Sequence, residues 1–375
     1  MIKETMTRDE RLLAAVTCRP TDRVPVAAMF DDFTLRQKGI PNRFGGSPED
    51  TAKKLTAFHE MFDELGGYDY QWHAGPGFAY SSWHGSMDMK VNSVPPGQES
   101  HMIPERETLT FEDYDKIIDL GWNGFCREFY TRDNGLTIEQ IDDMQQNGFA
   151  LMMEDMKWWQ ERGVPVTMGG MTMNPEMILS LGRTLTQFTL DLYRHPDRIQ
   201  AVIEAMVDDC IRNTLRNAEA TGIPWANILL ARGSSTFYNI PTFERFIFPY
   251  LKQMVDAFVG AGLYVNMHLD TNWIKNLPYF RELPARKCII ELDSTTDIFE
   301  AKKILDGHMC IKGDVPATML SLGSPEEVKD YCRKLIDGVG KGGGFVLSTG
   351  CTCPVDARLK NVRAMIDTAR NYYPH

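Results

Sequence analysis

Eight continuous apolar runs, each followed by a stretch of helical composition, constrain the fold of this chain most strongly. The runs are VPVAAMF (24–30), YDYQWHAG (68–75), VPVTMGGM (164–171), NILLARG (227–233), LYVNMHLD (263–270), CIIELD (288–293), MCIKGDV (309–315) and GFVLSTGC (344–351). Continuous rather than alternating runs are typical of parallel strands buried on both faces. Eight strands alternating with helices predict an α/β fold, a (β/α)8 TIM barrel.

An open, doubly wound sheet is the competing architecture, but no glycine-rich nucleotide loop follows the first run, and we prefer the barrel. The 375 residues exceed the roughly 250 that a minimal barrel needs. We predict a single domain over residues 1–375 with N-terminal helices. The excess length lies mainly at approximately 76–163, which we expect to form an inserted helical cap between strands 2 and 3.

Composition excludes several classes of partner. The formal net charge is −11 and no basic run is present, so nucleic acid is not an expected partner. No apolar stretch reaches the roughly 18–20 residues of a membrane-spanning helix. The polar start resembles an amphipathic helix rather than a signal peptide, and the eight cysteines have no framework spacing. We therefore expect a soluble, cytoplasmic protein with free thiols.

Polar residues collect where the predicted strands end, which is the active-site face of a TIM barrel. His268, Asp270, Glu291 and Cys351 come from three different strand ends. One imidazole, two carboxylates and one thiol are acceptable zinc ligands, and three or four protein donors with one exchangeable position is the catalytic zinc pattern. The alternatives are a satisfied core histidine and carboxylates that cap the following helices. Cys353 lies past the strand end, where we expect a thiol that is packed in the core or that supports a metal ligand from behind.

Other residues at the same face are candidates for binding substrate. They are Asp31, Trp72, His73, Met171, Asn174, Arg232, Phe237 and Tyr238, with Trp83 and Met173 adding to the apolar lining. Aromatic and methionine side chains suit a flat apolar ring or a corrin face, although each could equally be a packing residue. His73 could also act as an acid or base, and Arg232 could instead form an ion pair at the rim.

Two segments resemble a known family. FERFIFPYLKQMVDAFVGAGLYVNMHLDTN and STGCTCPVDARLKNVRAMIDTAR are similar to the uroporphyrinogen decarboxylase superfamily, and more specifically to its zinc-dependent corrinoid methyltransferase branch. That branch includes methyltransferase I of O-demethylase systems and methylcobalamin:coenzyme M methyltransferases. The resemblance implies zinc ligands at His268 and Cys351, with Asp270 where many members have cysteine. Glu291 matches a glutamate that can complete the coordination when no substrate is bound.

The resemblance also separates subclasses. True decarboxylases carry an R-x-x-x-R pair after the first strand to grip the acidic groups of the porphyrinogen. Here the stretch reads MFDDFTLRQKG, and the acidic Asp31 and Asp32 would repel a polycarboxylate. A uroporphyrinogen decarboxylase-like activity is therefore disfavoured.

Within the methyltransferase branch, the ligand set bears on the direction of methyl transfer. Asp270 in place of a thiolate gives a harder zinc ion, better suited to polarising an ether oxygen than to holding a nucleophilic thiolate. The hypothesis is therefore transfer of a methyl group from a methoxylated donor, such as an aryl methyl ether, to the cobalt(I) of a corrinoid (cobalamin) on a small partner protein. The alternatives are methyl transfer from methyl-corrinoid to a thiol or other acceptor, and a non-enzymatic tetrapyrrole-binding protein.

Overall fold

The computed structural model describes residues 4–41, 48–74, 105–134 and 137–373. Its centre is a parallel sheet whose six strands are hydrogen-bonded in chain order. The strands are β1 (Gly170–Met173), β2 (Trp225–Leu229), β3 (Tyr264–Leu269), β4 (Cys288–Leu292), β5 (Cys310–Val315) and β6 (Phe345–Thr349). These six match the third to eighth predicted runs, and the predicted α/β fold class is confirmed.

The first two runs differ from the prediction, because neither forms a regular strand. Residues 24–30 and 68–74 each contribute one isolated bridge, Val26 with Leu347 of β6 and Gln71 with Val166. The amide of Asp69 also donates to the carbonyl of Val26 (2.8 Å). These hydrogen bonds connect the two runs to each other, to β6 and to the residues just before β1.

Helices precede the first strand, lie between the strands and follow the last one. They are α1 (Arg8–Val16), α2 (Asp31–Gln37), α3 (Pro48–Glu64), α4 (Asp113–Asn134), α5 (Ile138–Glu161), α6 (Pro175–Arg183), α7 (Leu185–Arg194), α8 (Pro196–Thr221), α9 (Ile240–Phe246), α10 (Phe248–Gly260), α11 (Ile298–Leu305), α12 (Ala317–Leu322), α13 (Pro325–Gly338) and α14 (Leu359–Asn371), with a 3-10 helix at Leu277–Glu282. Within the described ranges, none of them combines the length and apolar composition that crossing a bilayer requires.

Helices α4 and α5 lie inside the predicted insertion at 76–163, whose first part, including Trp83, is outside the described residues. Polar contacts join both helices to the rest of the molecule. Asn123 of α4 donates to the carboxylate of Asp209 in α8 through its backbone amide (3.0 Å) and its side-chain amide (3.1 Å). His59 of α3 lies 2.6 Å from Asp155 of α5. The assignment of the whole chain to one domain stays a prediction.

A buried ionic cluster fixes α1 to the first two runs. The carboxylate of Asp69 accepts hydrogen bonds from Arg11 (2.7 Å), from Arg23 (2.7 and 2.9 Å) and from the amide of Val26 (2.8 Å). All three charged side chains are almost fully buried. Two guanidinium groups therefore share this carboxylate, and they also pair with the carboxylates of Asp22 and Glu4.

Replacing Asp69 with Asn should lower the free energy of unfolding by about 3 kcal/mol, the lower end of the range for a broken buried ion pair, because Asp22 and Glu4 still compensate part of the charge of the two arginines. Urea unfolding followed by circular dichroism measures the change. Glu49→Gln is the matched control, because Glu49 pairs with Lys53 at exposed positions and its loss should leave the unfolding midpoint unchanged. Equal midpoints for the two variants would contradict the role assigned to Asp69.

Candidate metal centre

The candidate centre begins at His268, a buried residue near the end of β3. In the parallel register, His268 is paired with Glu291 of β4, and Glu291 is paired with Lys312 of β5. Paired residues on parallel strands lie side by side, so three residues that are far apart in sequence become neighbours. Asp270 follows β3, and Cys351 follows β6 two residues after its end.

Three of the four predicted ligands converge on one point. Nε2 of His268 lies 3.2 Å from Oδ1 of Asp270 and 3.5 Å from Sγ of Cys351. The donor atoms of the three residues all lie within 4.8 Å of one another. An imidazole nitrogen, a carboxylate oxygen and a thiol sulfur at this separation are able to share one metal ion.

Glu291 takes a different position from the one expected for a ligand. Its Oε2 lies 2.9 Å from Nδ1 of His268, the ring nitrogen that does not face Asp270 and Cys351. Its Oε1 lies 2.6 Å from Nζ of Lys312, and both of these side chains are fully buried. Among the described residues, Glu291 does not join the converging group, so its role as a ligand stays a prediction that this geometry does not favour.

Sequence reasoning missed Lys312. The signal for it was present, since this lysine stands inside the otherwise apolar run MCIKGDV. A lysine on a buried strand needs a paired anion, and the neighbouring strand supplies one in Glu291.

The charges of the centre are strongly coupled. Burial lowers the pKa of His268, but the carboxylates of Asp270 and Glu291 outweigh burial and raise that pKa well above its usual value. Burial raises the pKa of Asp270, but the charge of His268 holds it below the usual range. Burial likewise opposes ionisation of Glu291, yet Lys312 and His268 bring its pKa down to about 2. In the absence of metal, the centre therefore holds a charged imidazole between two carboxylates.

The backbone after Asp270 is held in an uncommon conformation. Thr271 has a φ of 70°, in the left-handed region that β-branched residues rarely adopt. Its amide donates to Asp293 (2.6 Å), its carbonyl accepts from Thr296 (3.0 Å), and its hydroxyl lies 2.6 Å from that of Ser234. Strained residues persist only where the surroundings over-determine them, and these three contacts do so beside a candidate ligand.

An apolar patch adjoins the converging group. We define it as Met29, Trp72 and Met168, with Met171, Leu229 and Cys351 packed against them. Two predicted substrate residues, Trp72 and Met171, thus lie in the same cluster as the candidate thiol ligand. Next to Trp72, Nε2 of His73 lies 3.0 Å from Oδ1 of Asp31, which joins two further predicted residues.

The other predicted substrate residues differ in their burial and in their contacts. Asn174 is fully buried and donates to the carbonyl of Ile247 (3.3 Å). Arg232 forms the predicted type of ion pair, with Glu105, and also donates to the carbonyl of Ser180 (2.9 Å). Tyr238 is buried, whereas Phe237 is 38% exposed. Their binding of substrate stays a prediction.

Cys353, the second cysteine of STGCTCP, is fully buried, and burial raises the pKa of its thiol well above the usual value. Its backbone amide donates to the carbonyl of Met29 (2.7 Å). A neutral, inaccessible thiol of this kind acts as a small apolar side chain. The two cysteines of STGCTCP therefore have different surroundings, and Cys351 is the one in the converging group.

The sequence of the site region matches a known family. A family model described as uroporphyrinogen decarboxylase (URO-D) matches residues 128–372, well over half of the chain. The chain belongs to the URO-D family. The matched region includes His268, Asp270, Glu291 and Cys351. All the residues of the candidate centre therefore lie in the part of the chain that matches the URO-D family model.

Two of the curated relatives that match this chain are methyltransferases. The chain is 24% identical over 176 residues to the methylcobamide:CoM methyltransferase MtbA of Methanosarcina acetivorans, and 23% over 175 residues to MtbA of Methanosarcina mazei. It is also 23% identical over 200 residues to a uroporphyrinogen decarboxylase of Pseudoalteromonas atlantica. These matches cover 46–51% of this chain and span about half the length of the relatives (50–53%).

A solved structure extends the likeness to the whole fold. A methyltransferase from Methanosarcina mazei aligns with a TM-score of 0.68 at 16% identity, covering 97% of this chain and 98% of its own. Together with the family match and the MtbA relatives, this confirms the predicted resemblance to the URO-D superfamily and its corrinoid methyltransferase branch.

Proposed function

We propose that this URO-D family protein is a zinc-dependent methyltransferase that moves a methyl group from an aryl methyl ether to the cobalt(I) of a corrinoid on a small partner protein. The convergence of His268, Asp270 and Cys351 beside the apolar patch carries the proposal. The MtbA relatives support methyl transfer as the reaction class. The identity of the methyl donor, the use of a corrinoid as methyl acceptor and the direction of methyl transfer all belong to the proposal.

The donor set fits a zinc ion. Imidazole nitrogen, carboxylate oxygen and thiolate sulfur are all zinc ligands, and three protein donors with one exchangeable position is the pattern of catalytic zinc sites. His268, Asp270 and Cys351 would hold the ion. Zinc supplies a Lewis acid that polarises the ether oxygen, and a carboxylate in place of a second thiolate makes it harder and better matched to oxygen.

The surrounding residues bind and orient the donor. Trp72 and the methionines of the apolar patch offer a lining on which an aromatic ring can stack. In the reaction, the carbon–oxygen bond breaks with its electron pair on oxygen, while the two electrons of cobalt(I) form the cobalt–carbon bond. The departing oxygen takes up one proton, and His73, held by Asp31, is the proposed donor of that proton.

Mixing the zinc-loaded protein with a reduced corrinoid protein and a panel of aryl methyl ethers should produce the absorption of methyl-cobalt(III). The matched control for each ether is the same ring carrying a free hydroxyl, which has no methyl group to transfer. Failure with every methoxylated compound, in the presence of stoichiometric zinc, would refute the proposed donor class.

The second candidate is methyl transfer from methyl-corrinoid to a thiol. It is favoured by the names of the two MtbA relatives, which are methylcobamide:CoM methyltransferases. The same components separate the two candidates, because the second predicts loss of the methyl-cobalt(III) absorption from methylcobalamin when coenzyme M is added. Asp270 is the feature of this chain that favours the ether over the thiol.

A further inference from the structure

Lys312 is a buried positive charge directly beside the candidate centre. It lies in the middle of β5 and is fully buried, as is Glu291, whose Oε1 is 2.6 Å from its Nζ. The ammonium group also lies 5.6 Å from the ring centroid of Tyr70, which is buried as well. Removing two charges from water is costly, and such a pair persists where each charge compensates the other.

Both oxygens of Glu291 are engaged away from the three converging donors. Oε1 faces Lys312, and Oε2 faces Nδ1 of His268 at 2.9 Å. Asp270 and Cys351 face the opposite ring nitrogen, Nε2. The imidazole of His268 therefore stands between the Glu291 carboxylate and the point that the other donors share.

The charges divide into two balanced groups. A divalent cation is matched by the two anionic donors, the carboxylate of Asp270 and the thiolate of Cys351. The charge of Glu291 is matched by that of Lys312. Without the lysine, a carboxylate in a medium of low dielectric constant would be attracted strongly to a nearby divalent cation, because carboxylates are themselves zinc ligands.

We infer that Lys312 is a positioning residue that keeps Glu291 from binding the metal ion, so that a position remains open for an exchangeable ligand. The inference rests on the proposed metal centre and assigns a role to a residue that makes no contact with the ion. It also distinguishes this chain from metal centres in which a glutamate occupies the last coordination position. The open position is where an oxygen of the methyl donor would enter.

Cobalt(II) and thiocyanate are suitable probes, since the visible spectrum of cobalt(II) reports ligand number and kind and thiocyanate competes for the exchangeable position. In Lys312→Met protein, we expect cobalt(II) to bind at least as tightly as in the unaltered protein, because Glu291 becomes a ligand. Thiocyanate should then bind about tenfold more weakly. Adding Glu291→Gln to Lys312→Met should restore the affinity for thiocyanate.

A purely structural role for Lys312 predicts the opposite pattern. The metal would be held about 10- to 100-fold more weakly in Lys312→Met, as for other lost partners of metal ligands, and Glu291→Gln would rescue nothing. That result overturns the inference.

If Lys312→Met does not fold, the double variant Lys312→Met/Glu291→Gln, which removes both charges of the buried pair together, decides. We expect its cobalt(II) spectrum to be unchanged and its thiocyanate affinity to stay within about threefold of the unaltered protein. A changed spectrum with stronger thiocyanate binding would show Glu291 to be a ligand already and would refute the inference alone. Failure of the unaltered protein to bind cobalt(II) would instead refute the metal centre of the proposed function.

Discussion

Protein carrying both His268→Ala and Cys351→Ala should be purified essentially free of zinc, whereas the unaltered protein should hold about one equivalent. The two substitutions remove two of the three atoms that converge within 4.8 Å, and Asp270 alone offers too few donors to retain the ion. Because the metal would bind the folded state and not the unfolded chain, added zinc should also raise the unfolding temperature of the unaltered protein only. Mass-spectrometric metal analysis and thermal unfolding with and without zinc provide the measurement.

Cys353→Ala is the matched control for this experiment. It removes a thiol two residues along the chain, but one that is fully buried and outside the converging group. We expect its zinc content to equal that of the unaltered protein. Full zinc retention in the double variant, or loss of zinc on changing Cys353 alone, would contradict the centre as we describe it.

Zinc affinity should fall steeply as the pH is lowered through neutrality, by about tenfold per pH unit for each proton that the metal displaces. The reason is the raised pKa of His268 in the metal-free protein, where Asp270 and Glu291 stabilise the imidazolium. Zinc needs the neutral Nε2, so it must compete with a proton that an isolated histidine would already have lost at pH 7. Competition titrations with a chelating dye from pH 6 to 9 would measure the slope.

The contribution of His268 to the stability of the metal-free protein should depend on pH in the opposite sense. A raised pKa of His268 stabilises the fold at pH values below the usual pKa of histidine, and this contribution is lost as the pH rises through the raised value. The lowered pKa values of Asp270 and Glu291 stabilise the fold above about pH 4, and this is lost as the pH falls through their lowered values. A flat affinity profile together with a flat stability profile would contradict the charge coupling of His268.

Much of the fold could be predicted because parallel strands that are buried on both faces appear in the sequence as continuous apolar runs. The last six apolar runs form strands, whereas residues 24–30 and 68–74 form only isolated bridges. Pro25 lacks an amide proton and interrupts the ladder, and the side chain of Asp69, not another strand, accepts a hydrogen bond from Val26. The apolar pattern alone does not reveal where hydrogen bonds are diverted to side chains.

The convergence of three candidate ligands was predictable to a similar degree. Reading only the strand ends identifies His268, Asp270 and Cys351, because residues that end neighbouring parallel strands must meet at one face. The orientation of Glu291 was not predictable in this way. It depends on Lys312, which lies two strands away from His268. It also depends on the imidazole of His268, whose Nδ1 faces Glu291 and whose Nε2 faces Asp270. These contacts depend on the three-dimensional arrangement of the side chains, and the spacing of residues in a single sequence does not predict them.

The irregularity of the first two runs also bears on how such a protein can change over evolutionary time. The residues around the candidate ion belong to β3–β6 or follow them directly, where a continuous ladder fixes their register. Met29 and Trp72 of the apolar patch belong instead to the runs that isolated bridges attach. Substitutions at Met29 and Trp72 can therefore accumulate without shifting the register of the strands that carry the candidate ligands. The lining formed by these two residues and the candidate metal centre can consequently diverge as separate traits within one fold.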